Sequence, residues 1–197
     1  MSLETSEDGS SWSDYTVGDT LALASVGDKL YMRAKTENST FSKNSSNYYI
    51  FVMEGSIAAS GNVQSLLKAD CTRTDAPAYC YTKLFRNCSS LTTAPALPAT
   101  TLNSSCYSTM FQSCKSMTDA PELPATTLSA NCYYNMFYNC NHLSSVNVAF
   151  TEWNPSNATT NWLNGAAAEG TFTCPSGLDT TTQDNSHVPA GWTVVKY

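Results

Sequence analysis

The stretch "APALPATTLNSSCYSTMFQSC" runs from Ala94 to Cys114, and "APELPATTLSANCYYNMFYNC" runs from Ala120 to Cys140. Aligned over their full length, Ala94–Asp119 against Ala120–Ser145, the two share 13 of 26 residues. Cys80, Cys106 and Cys132 recur at a spacing of 26, as do Cys88, Cys114 and Cys140, and Phe85, Phe111 and Phe137. Leu91, Met117 and Leu143 keep the same step. Four registers in phase define an internal repeat. A period of this size predicts stacked supersecondary units that bury their apolar stripes against one another.

Each unit has two parts. In "CYSTMFQSC", Cys106, Tyr107, Met110, Phe111 and Cys114 fall at i, i+1, i+4, i+5 and i+8, which predicts one apolar face of a helix. Asn103, Ser104 or Ser105 would cap it, as would Ser129 or Asn131 one unit later. The segment "MTDAPELPATTL" carries two prolines three apart, which excludes a long helix and favours an extended course. Leu91–Ala94 and Met117–Ala120 are predicted as short parallel strands, with Leu102 and Leu128 turned inward. The expected fold is therefore an α/β solenoid, a short right-handed leucine-rich-repeat array of parallel strands plus helices.

Around residues 61–150 the flanks differ. Residues 1–60 lack the repeat and are predicted as a β-rich domain or cap. There, "DTLALASVGDKLYMRAK" reads as two strands about Gly27-Asp28, and "SNYYIFVMEG" reads as a third. Gly61–Pro77 reads as a shortened leading turn. Residues 151–197 are predicted as a C-terminal cap, with a last helix and strand in Asn157–Cys174 and a final strand in "VPAGWTVVKY".

The unit C-Y-x-x-M-F-x-x-C-x-x-L-x-x-A-P-x-L-P-A-T-T-L resembles the BspA-like leucine-rich repeats of bacterial surface proteins, through Phe111, Cys114, Met117 and Pro121. The leader is also similar to those of uncharacterised repeat proteins from gut bacteria. The resemblance implies an extracellular, cell-surface location and a role in adhesion, and it brings no catalytic motif.

Composition agrees with an exported surface. Charged residues make up only 13% of the chain, against about a quarter in ordinary domains, and Ser, Thr and Asn take their place. Net charge is −6 with no basic stripe, which speaks against nucleic acid. No apolar run reaches the length of a membrane span, and no signal peptide is expected within these residues.

Eight cysteines raise the question of disulfides. On a helix, cysteines eight apart lie about 12 Å from each other, too far for a bond. Each column holds an odd number, so buried thiols are the preferred reading. Cys71 and Cys174 lie outside the columns, and no bond between them is expected. The spacings fit neither zinc nor calcium. His142 and His187 are the two histidines, and neither sits in a catalytic motif. No catalytic, cofactor or metal residue is assigned.

A ligand would sit on side chains that repeat along the stack. Arg86, Gln112 and Tyr138 form one exposed column, beside Thr82, Ser108 and Tyr134. Tyr134 and Tyr138 are read either as a contact patch or as a pair covered by the C-terminal cap. The expectation is a non-enzymatic adhesion module for protein or glycan on host or neighbouring cells. The alternative is a structural spacer or display module without a ligand. Self-association is left open.

Overall fold

The computed structural model describes every residue of the chain except Ser156. It is nearly all-β, with eight short strands and no α-helix among the described residues. The strands are β1 (Leu3–Ser6), β2 (Ser13–Tyr15), β3 (Tyr31–Ala34), β4 (Asp75–Ala76), β5 (Thr101–Leu102), β6 (Ser145–Asn147), β7 (Thr171–Cys174) and β8 (Thr193–Lys196). One 3-10 turn, Val63–Leu66, is capped by Asn62, whose side chain accepts from the Gln64 N–H at 2.8 Å.

This corrects the expected α/β leucine-rich-repeat solenoid. The strands form three small separate sheets, ordered β2-β1-β3, β4-β5 and β6-β7-β8. None closes, and none runs along the repeats as a solenoid sheet would. The expected strands at Leu91–Ala94 and Met117–Ala120 are reduced to single bridges, Leu91 with Ile57 and Asp119 with Ser145.

The segments expected as helices are ribbons of turns. In the second copy, Cys106, Ser108, Met110, Gln112 and Cys114 each donate their N–H to the carbonyl three residues back, at 3.0–3.3 Å. The alternate residues Ser105, Tyr107, Thr109, Phe111 and Ser113 donate instead to the third copy, reaching Ala130, Cys132, Tyr134, Met136 and Tyr138 at 2.8–3.1 Å. Every N–H of the ribbon is thus used, half locally and half between copies. An α-helix would send all of them four residues back along one chain.

Positive backbone φ recurs every fourth residue, at Ser105, Thr109 and Ser113 (57°, 56° and 63°) and at Asn131, Asn135 and Asn139 (55°, 50° and 59°). A positive φ at the third position of a four-residue turn is the type II signature, and it is incompatible with a right-handed helix. In the fourth copy the column ends in Gly165 (φ +80°), where an added Cβ would lie 2.7 Å from Asn139 Oδ1.

The burial that predicted a helix is real, but its period is four. Cys106, Tyr107, Met110, Phe111 and Cys114 are all buried. Their equivalents one copy on stack directly against them. Phe85, Phe111 and Phe137 form a column with ring centroids 5.4 and 5.7 Å apart and near-parallel planes. Tyr81, Tyr107, Tyr133 and Trp162 form a second, at 5.6, 6.1 and 6.1 Å. Each aromatic pair adds about 0.5–1.5 kcal/mol beyond its burial.

All eight cysteines are free thiols. One column does more than fill space. Cys88, Cys114 and Cys140 donate S–H to the carbonyls of Phe51, Phe85 and Phe111 in the preceding layer, at 3.2, 3.1 and 3.0 Å.

Residues 38–63 form an irregular leading layer. Ser42 and Phe51 donate to the Cys80 and Leu84 carbonyls at 2.8 Å each, and the Phe51 ring packs tilted against Phe85 with centroids 5.3 Å apart. The expected strand in "SNYYIFVMEG" does not form. The N-terminal sheet pairs Leu3 with Ala34, both buried, and joins the leading layer through Asn38, whose Nδ2 donates to the Ser2 and Leu66 carbonyls. The turn at Gly27-Asp28 is present, but 16–30 is an exposed excursion and only Tyr31–Ala34 becomes a strand. At the other end, no helix forms in Asn157–Cys174, while the two strands expected near the C-terminus are β7 and β8. They pair in parallel with β6, in the register Val146–Phe172–Val194.

Candidate functional site

The four predicted contact residues lie on the outer side of the turn ribbons. Arg86, Gln112 and Tyr138 occupy successive rungs, joined by hydrogen bonds from Asn87 N–H to the Gln112 carbonyl and from Ser113 N–H to the Tyr138 carbonyl, both 2.8 Å. Tyr134 sits four residues before Tyr138 at the same phase of the ribbon, and its carbonyl accepts from Thr109 N–H at 2.8 Å. All four side chains are half-exposed. Thr82 departs from expectation: it is buried, and its hydroxyl donates to the Ser105 carbonyl at 2.7 Å. Three polar atoms of the turn ribbons, Arg86 Nε, the Tyr107 hydroxyl and Asn135 Oδ1, are buried without a hydrogen-bond partner among the described residues.

The return segments, 91–102 and 117–128, form the other wall. Two clefts open there. One, of about 450 Å3, lies between the first two proline-containing copies and is lined chiefly by Ala96, Leu97, Pro98, Ala120, Pro121 and Glu122. The second, of about 350 Å3, is lined by Thr126, Thr127, Leu128, Thr151, Glu152 and Asn154, with Pro155. Sequence reasoning missed both. For the first cleft the available signal was the proline spacing, since two facing Pro-x-x-Pro segments each lose two N–H donors.

The two histidines each make local contacts. His142 is exposed, with Nδ1 2.6 Å from the Lys115 carbonyl. His187 Nδ1 lies 2.8 Å from Asp184 Oδ1, but that oxygen also accepts the Ser186 and His187 backbone N–H groups. The pair therefore closes a local turn. Among the described residues, no three His, Cys, Asp or Glu side chains gather as metal ligands, and no helix is long and apolar enough to cross a membrane. Burial pushes the thiols of Cys80, Cys88 and Cys132 up to about 11 and that of Cys140 up to about 12, which leaves them protonated and unreactive at neutral pH.

No family model, curated protein or solved structure matches the chain.

Proposed function

We propose that the chain is a non-enzymatic binding module of an exported surface protein, holding a protein or glycan against its turn wall through Tyr134, Tyr138, Gln112 and Arg86. One observation carries the reading: two half-exposed tyrosines stand four residues apart on one rung, in line with Gln112 and Arg86 on the rungs before. Tyrosine offers a large amphipathic contact at low entropic cost. The sparse charge and the Ser, Thr and Asn content support an extracellular setting.

The experiment is a glycan and extracellular-matrix array probed with the purified chain and with Tyr134→Ser plus Tyr138→Ser. The expected outcome is saturable binding by the native chain, lost in the double variant. Equal binding by both would remove the tyrosine pair as the site. The spacer reading draws on the burial of Thr82, which flattens the wall, and an array without any hit would favour it.

A further inference from the structure

The two walls are joined differently across the boundary between the first and second copies. On the turn wall that boundary is fully bonded, with Tyr79, Tyr81, Lys83, Phe85 and Asn87 all donating forward at 2.8–3.0 Å. On the return wall, bonding stops after Ser116 N–H to the Ser89 carbonyl and resumes only where Ser104 Oγ and Ser105 N–H reach the Ala130 carbonyl. Between those points, no backbone hydrogen bond joins 91–102 to 117–128 among the described residues.

The cause is in the sequence. Each proline segment pairs with a neighbour that has none. Ala96 donates to Gly61 and accepts from Val63; Ala120 and Leu123 donate to Ser145 and Asn147. Where the two proline segments face each other, Pro95, Pro98, Pro121 and Pro124 supply no N–H, and the ladder fails. The 450 Å3 cleft occupies this seam. Two residues that line it, Leu97 and Glu122, have backbone N–H groups with no acceptor among the described residues. The rest of the lining is alanine and proline.

We infer that the seam is a second binding site, separate from the turn wall, which takes a basic, proline-rich peptide segment in extended conformation. Three features select that chemistry. Alanine and proline surfaces accept pyrrolidine rings without desolvating polar groups. A proline-rich segment carries free carbonyls and few N–H groups, matching a cleft that offers unpaired N–H donors. The only charged side chains of the two return segments are Asp119 and Glu122. Glu122 Oε2 accepts from Asn147 Nδ2 at 2.7 Å, and Oε1 has no hydrogen-bond partner among the described residues. The Glu122 carboxylate, the one charged side chain of the cleft lining, selects a basic segment over an acidic one. A second copy of this chain, at net charge −6, is disfavoured on the same ground.

The test is fluorescence anisotropy with the full chain and a fluorescein-labelled peptide containing three repeats of Arg-Pro-Leu-Pro. Saturable binding is expected, weakened about tenfold or more when the peptide prolines become glycine or its arginines become glutamate. Glu122→Lys and Ala96→Tyr, which reverse the charge and fill the cleft, are each expected to weaken it by at least about tenfold. Tyr134→Ser plus Tyr138→Ser is expected to leave it unchanged, which separates this site from the one proposed on the turn wall. Thermal melts establish that each variant folds, and Glu122→Lys, at an exposed position, carries the test should Ala96→Tyr not fold. Absence of saturable binding overturns the inference, as do affinities indifferent to both cleft variants or lost in the tyrosine variant.

Discussion

The turn wall and the return wall are built from the same 26-residue unit, yet they solve the backbone hydrogen-bond problem in opposite ways. Over Tyr79–Cys88 and Ser105–Cys114 the turn wall pairs every N–H, half within its own turns and half with the next copy, and it holds its aromatic columns at 5.4–5.7 Å for phenylalanine. The return wall leaves a seam wherever proline meets proline. Stability therefore concentrates on one side of the molecule, and the other is free to carry open backbone groups.

Alkali is expected to break the buried columns as a whole. Below the ordinary thiol value near 9, folded and unfolded chains both keep their thiols protonated. Above it the unfolded chain sheds those protons, while burial holds the folded Cys80, Cys88 and Cys132 to about 11 and Cys140 to about 12. Stability should be level up to about pH 8.5 and fall progressively from there to about pH 12, as followed by urea denaturation at each pH.

Single substitutions should then separate the walls. Phe111→Ala removes the middle of a fully buried column and is expected to cost about 3–5 kcal/mol in urea unfolding. Ala96→Ser, exposed at the seam, should stay within about 0.5 kcal/mol.

A finer pair of variants tests whether the wall's side-chain polarity is as well satisfied as its backbone. Tyr81 donates its hydroxyl to Gln64 Oε1 at 2.9 Å, whereas the Tyr107 hydroxyl is buried without a partner. Tyr81→Phe should destabilise by about 1 kcal/mol, and Tyr107→Phe should stabilise by about 1 kcal/mol, measured in the same unfolding assay.

The smallest expected effect is a gain. Ser113 is held at φ 63°, where its equivalents one copy earlier and one copy later are Asn87 and Asn139. Ser113→Asn should stabilise by about 0.5 kcal/mol, read as a raised Tm.

The repeat, its length and its buried positions were legible because columns of Cys, Phe and Tyr are spaced identically in the sequence. The local structure was not. Positions i, i+4 and i+8 fit a helix of period 3.6 loosely and a ribbon of period four without drift; over eight residues the helix departs by about 80°. The decisive signal was Asn131, Asn135 and Asn139, three asparagines four apart at left-handed positions, where asparagine is favoured over other non-glycine residues. Asn131 instead reads as a helix cap when taken alone. The predicted contact residues came out on one wall because column spacing survives the change from helix to ribbon. Thr82 was misplaced because its hydroxyl found a carbonyl in the next copy, a contact no single-chain pattern encodes. The seam was missed because proline was read for what it does to its own segment, without regard to the copy facing it.

Native-state amide hydrogen exchange tests the difference between the walls most directly. The account predicts strong protection at Tyr107, Thr109 and Phe111, which bond between copies, and equally at Ser108 and Met110, which bond within turns. It predicts fast exchange at Leu97 and Glu122. Protection of Leu97 and Glu122 matching that of the ribbon would contradict it, as would a ribbon in which Tyr107, Thr109 and Phe111 exchange freely.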